Sequence, residues 1–141
     1  MHRQFTGGRL FMGRLSKGDD LLYALQGKCT ELGVNQGEVR AIGAVTGARI
    51  AYYNQAERRY ELVHLNRHLE ILSLTGNVSF KGREVFLHAH VVLGDDEGRA
   101  FGGHLAEGTE VFACEFTIRE LLTEEPLSRA MDDETGLFLW V

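Results

Sequence analysis

The sequence predicts an α+β domain, with a mainly antiparallel sheet and one principal covering helix. Three observations lead to this fold class. Apolar residues recur at helical spacing in one segment only, between Leu21 and Leu32. From Val39 onward the apolar pattern changes to the alternation that is typical of strands. The connections between these strands are short and rich in turn residues, which favours a meander or Greek key over parallel crossovers.

The composition indicates one ordinary globular domain over residues 1–141. Hydrophobic residues make up 44% of the chain and charged residues 25%, an average profile for a domain that buries a core without disulfides. The formal net charge of −5 gives no overall basic field to attract nucleic acid or an anionic membrane. No segment has the length of a membrane span or the apolar core of a signal peptide, so we expect a cytoplasmic protein.

The first elements are a strand and the helix. Gln4–Leu15 alternates loosely and predicts the strand, with Gly7-Gly8 as a turn or bulge. Asp19 and Asp20 are expected in the first turn of the helix, where its dipole favours negative charge. Gly33 is the predicted C-terminal stop. The apolar stripe of the helix consists of Leu21, Leu22, Leu25, Cys29 and Leu32.

Six further strands are predicted between Val39 and Leu121, separated by turn signals such as Thr46-Gly47. Cys114 lies on the apolar face of the last strand and Cys29 on that of the helix, so both are expected to be buried reduced thiols. The strands are Val39–Val45, Ala48–Tyr53, Tyr60–Leu65, Leu69–Val78, Val85–Leu93 and Thr109–Leu121.

The C-terminal tail has two parts of opposite character. Glu124–Glu134 is polar and acidic, whereas Leu137–Val141 is apolar. Large apolar side chains are costly to expose at a terminus. Two arrangements are open: a last strand that docks on its own domain, or a segment that packs on a neighbouring subunit.

Three histidines form the candidate metal site. His88 and His90 alternate on one predicted strand and therefore point to the same face, about 7 Å apart along the backbone. His104 follows two glycines, which allow close backbone approach and unusual dihedral angles, and we expect a glycine-rich turn to deliver it. Three imidazoles are a set with which zinc keeps a fourth position open. The other histidines near a predicted turn, His64 and His68, are expected to be solvated.

A metal with an open position would lower the pKa of a bound water towards about 7, which makes hydrolysis or hydration chemistry conceivable. Glu70 and Glu107 are the candidates for a proton-transfer partner. A structural ion, or one that senses a bound small molecule, is an equally open alternative. No serine or cysteine arrangement for nucleophilic catalysis and no phosphate loop stands out.

Several motifs, in order, resemble the PPC domain, the plants and prokaryotes conserved domain that accompanies AT-hook motifs in plants. The resemblance covers about residues 10–121 and leaves 122–141 as a C-terminal extension. The segments that carry it are Leu15–Leu21, Ala41–Val45, Tyr52-Tyr53, Leu69–Asn77, Leu87–Val91 and Gly102–Leu105.

The resemblance implies a small α+β domain that assembles as a homotrimer. It also implies a bound metal, zinc, held by His88, His90 and His104. In plants the family acts in DNA binding and transcriptional regulation, the AT-hook gripping the minor groove. This chain has no Arg-Gly-Arg-Pro element, and its single proline is Pro126.

The basic residues give only weak physical support to DNA binding. Arg3, Arg9, Arg14 and Lys17 cluster near the N-terminus and Arg58-Arg59 lies in a turn, but such groups are usually solvated surface. The leading hypothesis is a trimeric metal-binding protein with a DNA-associated or regulatory binding role. The alternatives are a zinc-dependent hydrolase or lyase acting on a small substrate and a structural trimer with a fold-stabilising metal.

Overall fold

Nine strands and one helix follow one another in the computed structural model, which describes residues 1–141. The only parallel pairing joins β4 to β8, so the predicted α+β class with a mainly antiparallel sheet and one helix is confirmed. The elements are β1 (Thr6–Leu15), α1 (Leu21–Glu31), β2 (Gly37–Asn54), β3 (Arg59–Leu65), β4 (Leu69–Lys81), β5 (Glu84–Gly94), β6 (Ala100–Leu105), β7 (Glu110–Leu122), β8 (Ser128–Asp132) and β9 (Leu137–Trp140).

Strand β2 organises the sheet because its two halves have different neighbours. Its first half pairs with both β4 and β7, and its second half pairs with β3. Ile50 and Ala51 of the second half also pair with β6. Since β6 pairs with β5 and β5 with β4, the strands β2, β6, β5 and β4 close a ring of hydrogen bonds.

Helix α1 covers one face of this ring and fixes which side chains of β5 point outward. Leu21, Leu25 and Cys29 of the helix are fully buried, each such leucine contributing about 2 kcal/mol by removal from water. Leu87 is buried on the strand below, and its backbone N–H donates to Oε1 of Gln26 at 3.0 Å. The alternate residues of β5 therefore face away from the helix.

The helix termini differ from the sequence prediction at one point. Asp20 is the N-cap rather than a first-turn residue, and its carboxylate accepts from the backbone N–H of Tyr23 at 3.0 Å. The cap satisfies a donor that has no partner within the helix. Gly33 follows the last turn with φ of +69°, the left-handed conformation that commonly ends a helix, as predicted.

Two predicted turns are part of strands. Thr46-Gly47 lies inside the continuous strand β2, where the register with β7 shifts on either side of Val45; the glycine marks a bulge rather than a chain reversal. Gly102-Gly103 lies inside β6, so a strand and not a turn delivers His104. Neither Gly102 nor Gly103 has a positive φ. The predicted irregularity at Gly7-Gly8 is present as a register shift in β1.

The acidic tail contains a strand that the sequence pattern does not predict. Ser128–Asp132 forms β8, and Leu137–Trp140 forms β9 and pairs with it. The apolar end therefore docks on its own chain, one of the two predicted arrangements. Trp140 also donates from Nε1 to Oγ of Ser79 in β4 at 3.1 Å. The β8–β9 hairpin is thus fixed to the end of the main sheet.

The thiols of Cys29 and Cys114 are buried and not bonded to each other. Burial raises the pKa of Cys29 to about 12 and that of Cys114 to about 11, so both are protonated and unreactive at neutral pH. No helix of the chain has both the length and the apolar character needed to cross a membrane.

The ion pair between Arg9 and Glu120 makes stability depend on pH. Arg9 donates to Glu120 from its guanidinium at 2.7 and 2.8 Å and from its backbone N–H at 3.0 Å. These bonds lower the pKa of Glu120 from 4.5 to about 2. Because the pKa of Glu120 is lower in the folded state, the stability that this ion pair contributes is complete above pH 4.5 and is lost as the pH falls towards 2. We expect urea denaturation to show this loss in the wild type, and the difference between wild type and Glu120→Gln to shrink with falling pH. An equal difference at pH 7 and pH 3 would contradict the assignment.

Candidate metal centre

Three histidines meet on the outer face of the ring of strands. His88 and His90 are two residues apart on β5 and share its outward face. His104 lies on β6 directly opposite His90 in the antiparallel register. Side chains of directly paired residues project to the same side of a sheet. The alternation of β5 and the β5–β6 register therefore suffice to bring the three imidazoles together, as predicted.

The ligand nitrogens of the three rings lie within 4.8 Å of one another. The ring centroids are 5.2 Å apart for His88 and His90, 4.9 Å for His88 and His104, and 5.3 Å for His90 and His104. His90 is exposed, whereas His88 and His104 are partly buried. Nitrogens bound at about 2.0 Å to one tetrahedral ion are about 3.3 Å apart, so small side-chain rotations would complete the set.

Nδ1 of His104 is buried and has no hydrogen-bond partner. A buried polar atom without a partner costs about 1 to 3 kcal/mol, and such atoms are rare in native structures. An ion bound among the three rings could supply the missing partner. The donor set and this atom together fit a metal.

Burial and repulsion between neighbouring rings keep His88 and His104 neutral. Burial lowers the pKa of His88 to about 4, with further lowering from His104, Arg129 and His90. Burial also lowers the pKa of His104 to about 4, with smaller effects from His90 and Arg129. Metals bind the neutral form of imidazole. Both rings are therefore in the ligating form at neutral pH without the loss of a proton.

Gly103 allows β6 to approach β2 closely next to His104. A Cβ atom at this position would lie 2.8 Å from the carbonyl oxygen of Ala51, and Ala51 pairs directly with His104. Space, and not an unusual dihedral angle, is thus the reason for glycine here. The ring of Tyr60 also lies near this histidine, with its centroid 5.0 Å from that of His104.

A cleft of about 430 Å³ opens beside His88 and His104. One side consists of residues of the main sheet and of the β2–β3 connection, and the other of the β8–β9 hairpin. None of the lining residues is acidic. They are Tyr53, Arg58, Arg59, Tyr60, Lys81, Phe86, His88, His104, Arg129, Met131, Gly136, Leu137, Phe138 and Leu139.

The other sequence candidates lie elsewhere. Glu107 accepts from the hydroxyl of Tyr23 at 2.8 Å, and Glu70 lines a separate cavity with His68. Neither carboxylate lines the cleft beside the histidines. His64 and His68 are exposed and outside the histidine cluster, as predicted.

Two of the four residues of the predicted N-terminal basic cluster are paired with carboxylates of the chain. Arg3 pairs with Glu125, and Arg9 pairs with Glu120. Arg58 donates to two backbone carbonyl oxygens of the turn between β8 and β9, those of Asp133 and Glu134. The N-terminal residues therefore do not form one free basic surface.

Sequence reasoning missed the cleft itself, including Tyr60 and Arg129. The sequence pattern indicates only that a strand begins at Tyr60, whereas the β2–β3 register pairs this residue with Tyr53 near the site. Arg129 lies in the C-terminal tail segment, whose polar and acidic sequence does not indicate a buried residue. The available signal was an arginine beside Ala130 and Met131 in an otherwise acidic stretch.

The fold and the site define a class: a small antiparallel domain with one covering helix and a three-histidine cluster on its sheet. Comparison with family models identifies it. The model of the Plants and Prokaryotes Conserved domain, abbreviated PCC or PPC, matches residues 2–122. The chain belongs to this family, as its motifs indicate.

Solved structures similar to this chain come from archaea and bacteria. A metal-containing protein from Archaeoglobus fulgidus is 45% identical, with a TM-score of 0.92 and coverage of 98% of this chain and 96% of that one. A plant- and prokaryote-conserved protein from Pyrococcus horikoshii is 36% identical, with a TM-score of 0.93 and coverage of 100% and 96%. A suggested DNA-binding protein from Bacteroides thetaiotaomicron is 25% identical, with a TM-score of 0.86 and coverage of 99% and 98%.

A curated relative is much longer than this chain. The bifunctional protein GlmU from Synechococcus sp. (strain JA-3-3Ab) is 30% identical over 129 residues, which are 91% of this chain and 20% of that protein. The chain thus spans about a fifth of the length of the curated relatives it matches.

Proposed function

We propose that this chain is a metal-binding module in which His88, His90 and His104 hold one zinc ion and leave one coordination position open to the cleft. The observation that carries the proposal is the convergence of three ligand nitrogens within 4.8 Å, with a buried nitrogen, Nδ1 of His104, that has no hydrogen-bond partner. Three imidazoles with an open position are a known zinc set. The similar protein from Archaeoglobus fulgidus is metal-containing, which supports metal binding by this chain.

The cleft favours binding over hydrolysis. A zinc ion with an open position activates a bound water, but hydrolytic use of that water commonly needs a proton acceptor within hydrogen-bond reach. The cleft has no carboxylate, and burial raises the pKa of Tyr60, so this phenol is protonated at neutral pH. A role in binding or sensing a ligand therefore agrees better with the residues than the hydrolase or lyase alternative.

Titration of the chelator-stripped protein with zinc in a calorimeter tests the proposal. We expect one ion per chain and, with zinc bound, a higher melting temperature, since a ligand that binds only the folded state stabilises it. A small rise in melting temperature would agree with a sensing ion, whereas folding that depends on zinc would support the structural alternative. Absence of saturable zinc binding would refute the proposal.

We also propose that the chain assembles as a homotrimer, as its family resemblance implies. Three apolar side chains that are more than half exposed line one concave surface of mixed character: Met12 of β1, Ile42 of β2 and Leu72 of β4. Contiguous exposed apolar side chains of this kind mark association surfaces. We expect light scattering to give three times the mass of the chain, and Ile42→Glu to dissociate the assembly. A monomeric wild type would contradict this part of the proposal.

A DNA-associated regulatory role is the second candidate function. Its support is the similarity to the suggested DNA-binding protein from Bacteroides thetaiotaomicron. The net charge of −5 and the internal pairing of Arg3 and Arg9 oppose direct contact with phosphates. A gel-shift titration at increasing salt decides the matter. Binding that weakens steeply with salt would support direct contact with DNA. Absence of binding at low salt would refute this candidate function.

A further inference from the structure

Arg129 is a buried cation without an acidic partner in the protein. The residue is 9% exposed, and no carboxylate lies within ion-pair distance of it. Its Nε donates to Oγ of Ser79 and its Nη1 to the carbonyl oxygen of Phe138, both at 3.1 Å. Both acceptors are neutral. Buried charges in proteins are normally paired, because removal from water is costly.

All charged side chains that line the cleft around Arg129 are basic. Lys81 also lines it, with Nζ only 3.9 Å from the ring centroid of Phe138 and without an acidic partner. A divalent ion at His88, His90 and His104 would add two further positive charges. No aspartate or glutamate lines the cleft, and of the basic residues that line it only Arg59 has an acidic partner, Glu61 at 3.7 Å.

The cleft also has apolar side chains and a wall that is held in place by hydrogen bonds. Phe86 and Phe138 both line the cleft, and the Nζ atom of Lys81 lies 5.2 and 3.9 Å from their ring centroids. The β8–β9 hairpin is held in place by Arg58 and by Tyr53, whose hydroxyl donates to the carbonyl oxygen of Thr135 at 2.8 Å. This wall lies beyond residues 2–122, the part that matches the family model.

We propose that the cleft binds a small organic oxyanion, a carboxylate or phosphate with an apolar body, whose head group takes the open position of the metal and neutralises Arg129. The apolar body packs against the side chains of Phe86 and Phe138 that line the cleft, and the volume of about 430 Å³ fits a small molecule. This inference rests on the proposed metal site and adds the class of ligand. It assigns the choice of ligand to the β8–β9 hairpin.

Calorimetric titrations of the full-length zinc-loaded protein with benzoate, phenyl phosphate and benzyl alcohol test the inference. The first two share the ring but differ in the oxyanion, and benzyl alcohol is the uncharged control. We expect at least one anion to bind about 10-fold or more tightly than the alcohol, because hydrogen bonds to charged groups are the stronger ones. The better anion identifies the head group. Equal affinity for all three compounds would overturn the inference.

Variants separate this inference from the metal site. Arg129→Met replaces the buried charge by an apolar side chain of similar length, and Arg83→Met in an exposed turn is its matched control. We expect Arg129→Met to bind zinc with the wild-type stoichiometry and the anion about 10-fold or more weakly, with Arg83→Met unchanged. If Arg129→Met does not fold, Lys81→Met takes its place with the same expectation. Unchanged anion affinity in the folded variant refutes the inference, whereas failure of the wild type to bind zinc refutes the metal site.

Discussion

Replacing His104 by alanine is expected to lower the affinity for zinc by about 100-fold or more. Loss of a partner that only orients a metal ligand costs about 10- to 100-fold in affinity, so loss of a ligand should cost at least the upper end of that range. His104 is also partly buried and carries the unpartnered Nδ1. Competition of the stripped protein with a colorimetric zinc chelator measures the effect.

His64→Ala is the control for this experiment, because His64 is an exposed strand histidine outside the cluster. The affinity of the His64→Ala variant for zinc should equal that of the wild type. Circular dichroism must show that both variants keep the wild-type fold before the affinities are compared. If His104→Ala binds zinc as tightly as His64→Ala, the ion is not held by the three-histidine cluster.

Gly43→Ala is expected to destabilise the protein by about 3 kcal/mol or more, or to prevent folding. Gly43 lies in the central strand β2 between β4 and β7, with φ of +147°. A Cβ atom there would lie 2.1 Å from the carbonyl oxygen of Ala113. The backbone of the neighbouring strand cannot yield without loss of its pairing. The free energy of unfolding from urea denaturation measures the effect.

The matched control is Gly7→Ala in strand β1. Gly7 has ordinary backbone angles, and nothing lies within 4 Å of a Cβ atom built there. We expect a change within about 0.5 kcal/mol for this exposed position. Similar free energies of unfolding for Gly43→Ala and Gly7→Ala would show that β2 is not confined between two strands as described.

Local patterns predicted the parts of the fold that depend on local rules. The helical spacing of Leu21, Leu25 and Cys29 identified α1, and the alternation of His88 and His90 placed both rings on one face. The position of His104 opposite His90 depends on the pairing of β5 with β6. The family resemblance, and not periodicity, connected these two segments at the level of sequence.

Features that depend on distant contacts were not predictable in the same way. Thr46-Gly47 has turn residues, yet pairing on both sides keeps β2 continuous through a bulge. The burial of Arg129 depends on the short parallel pairing of Phe80 with Ser128 and on the return of β9. The sequence of a polar tail predicts a solvated segment, whereas these contacts bury Arg129. The cleft beside the metal site was therefore found only in the structure.

X-ray absorption at the zinc edge, recorded on protein loaded with one zinc ion per chain, tests the central claim most directly. The proposed site predicts three histidine nitrogens at about 2.0 Å and a fourth light-atom ligand from water or from a bound anion. Addition of benzoate or phenyl phosphate should leave the three imidazole contributions in place. A sulfur ligand at about 2.3 Å, or fewer than three imidazoles around the ion, would contradict the site formed by His88, His90 and His104.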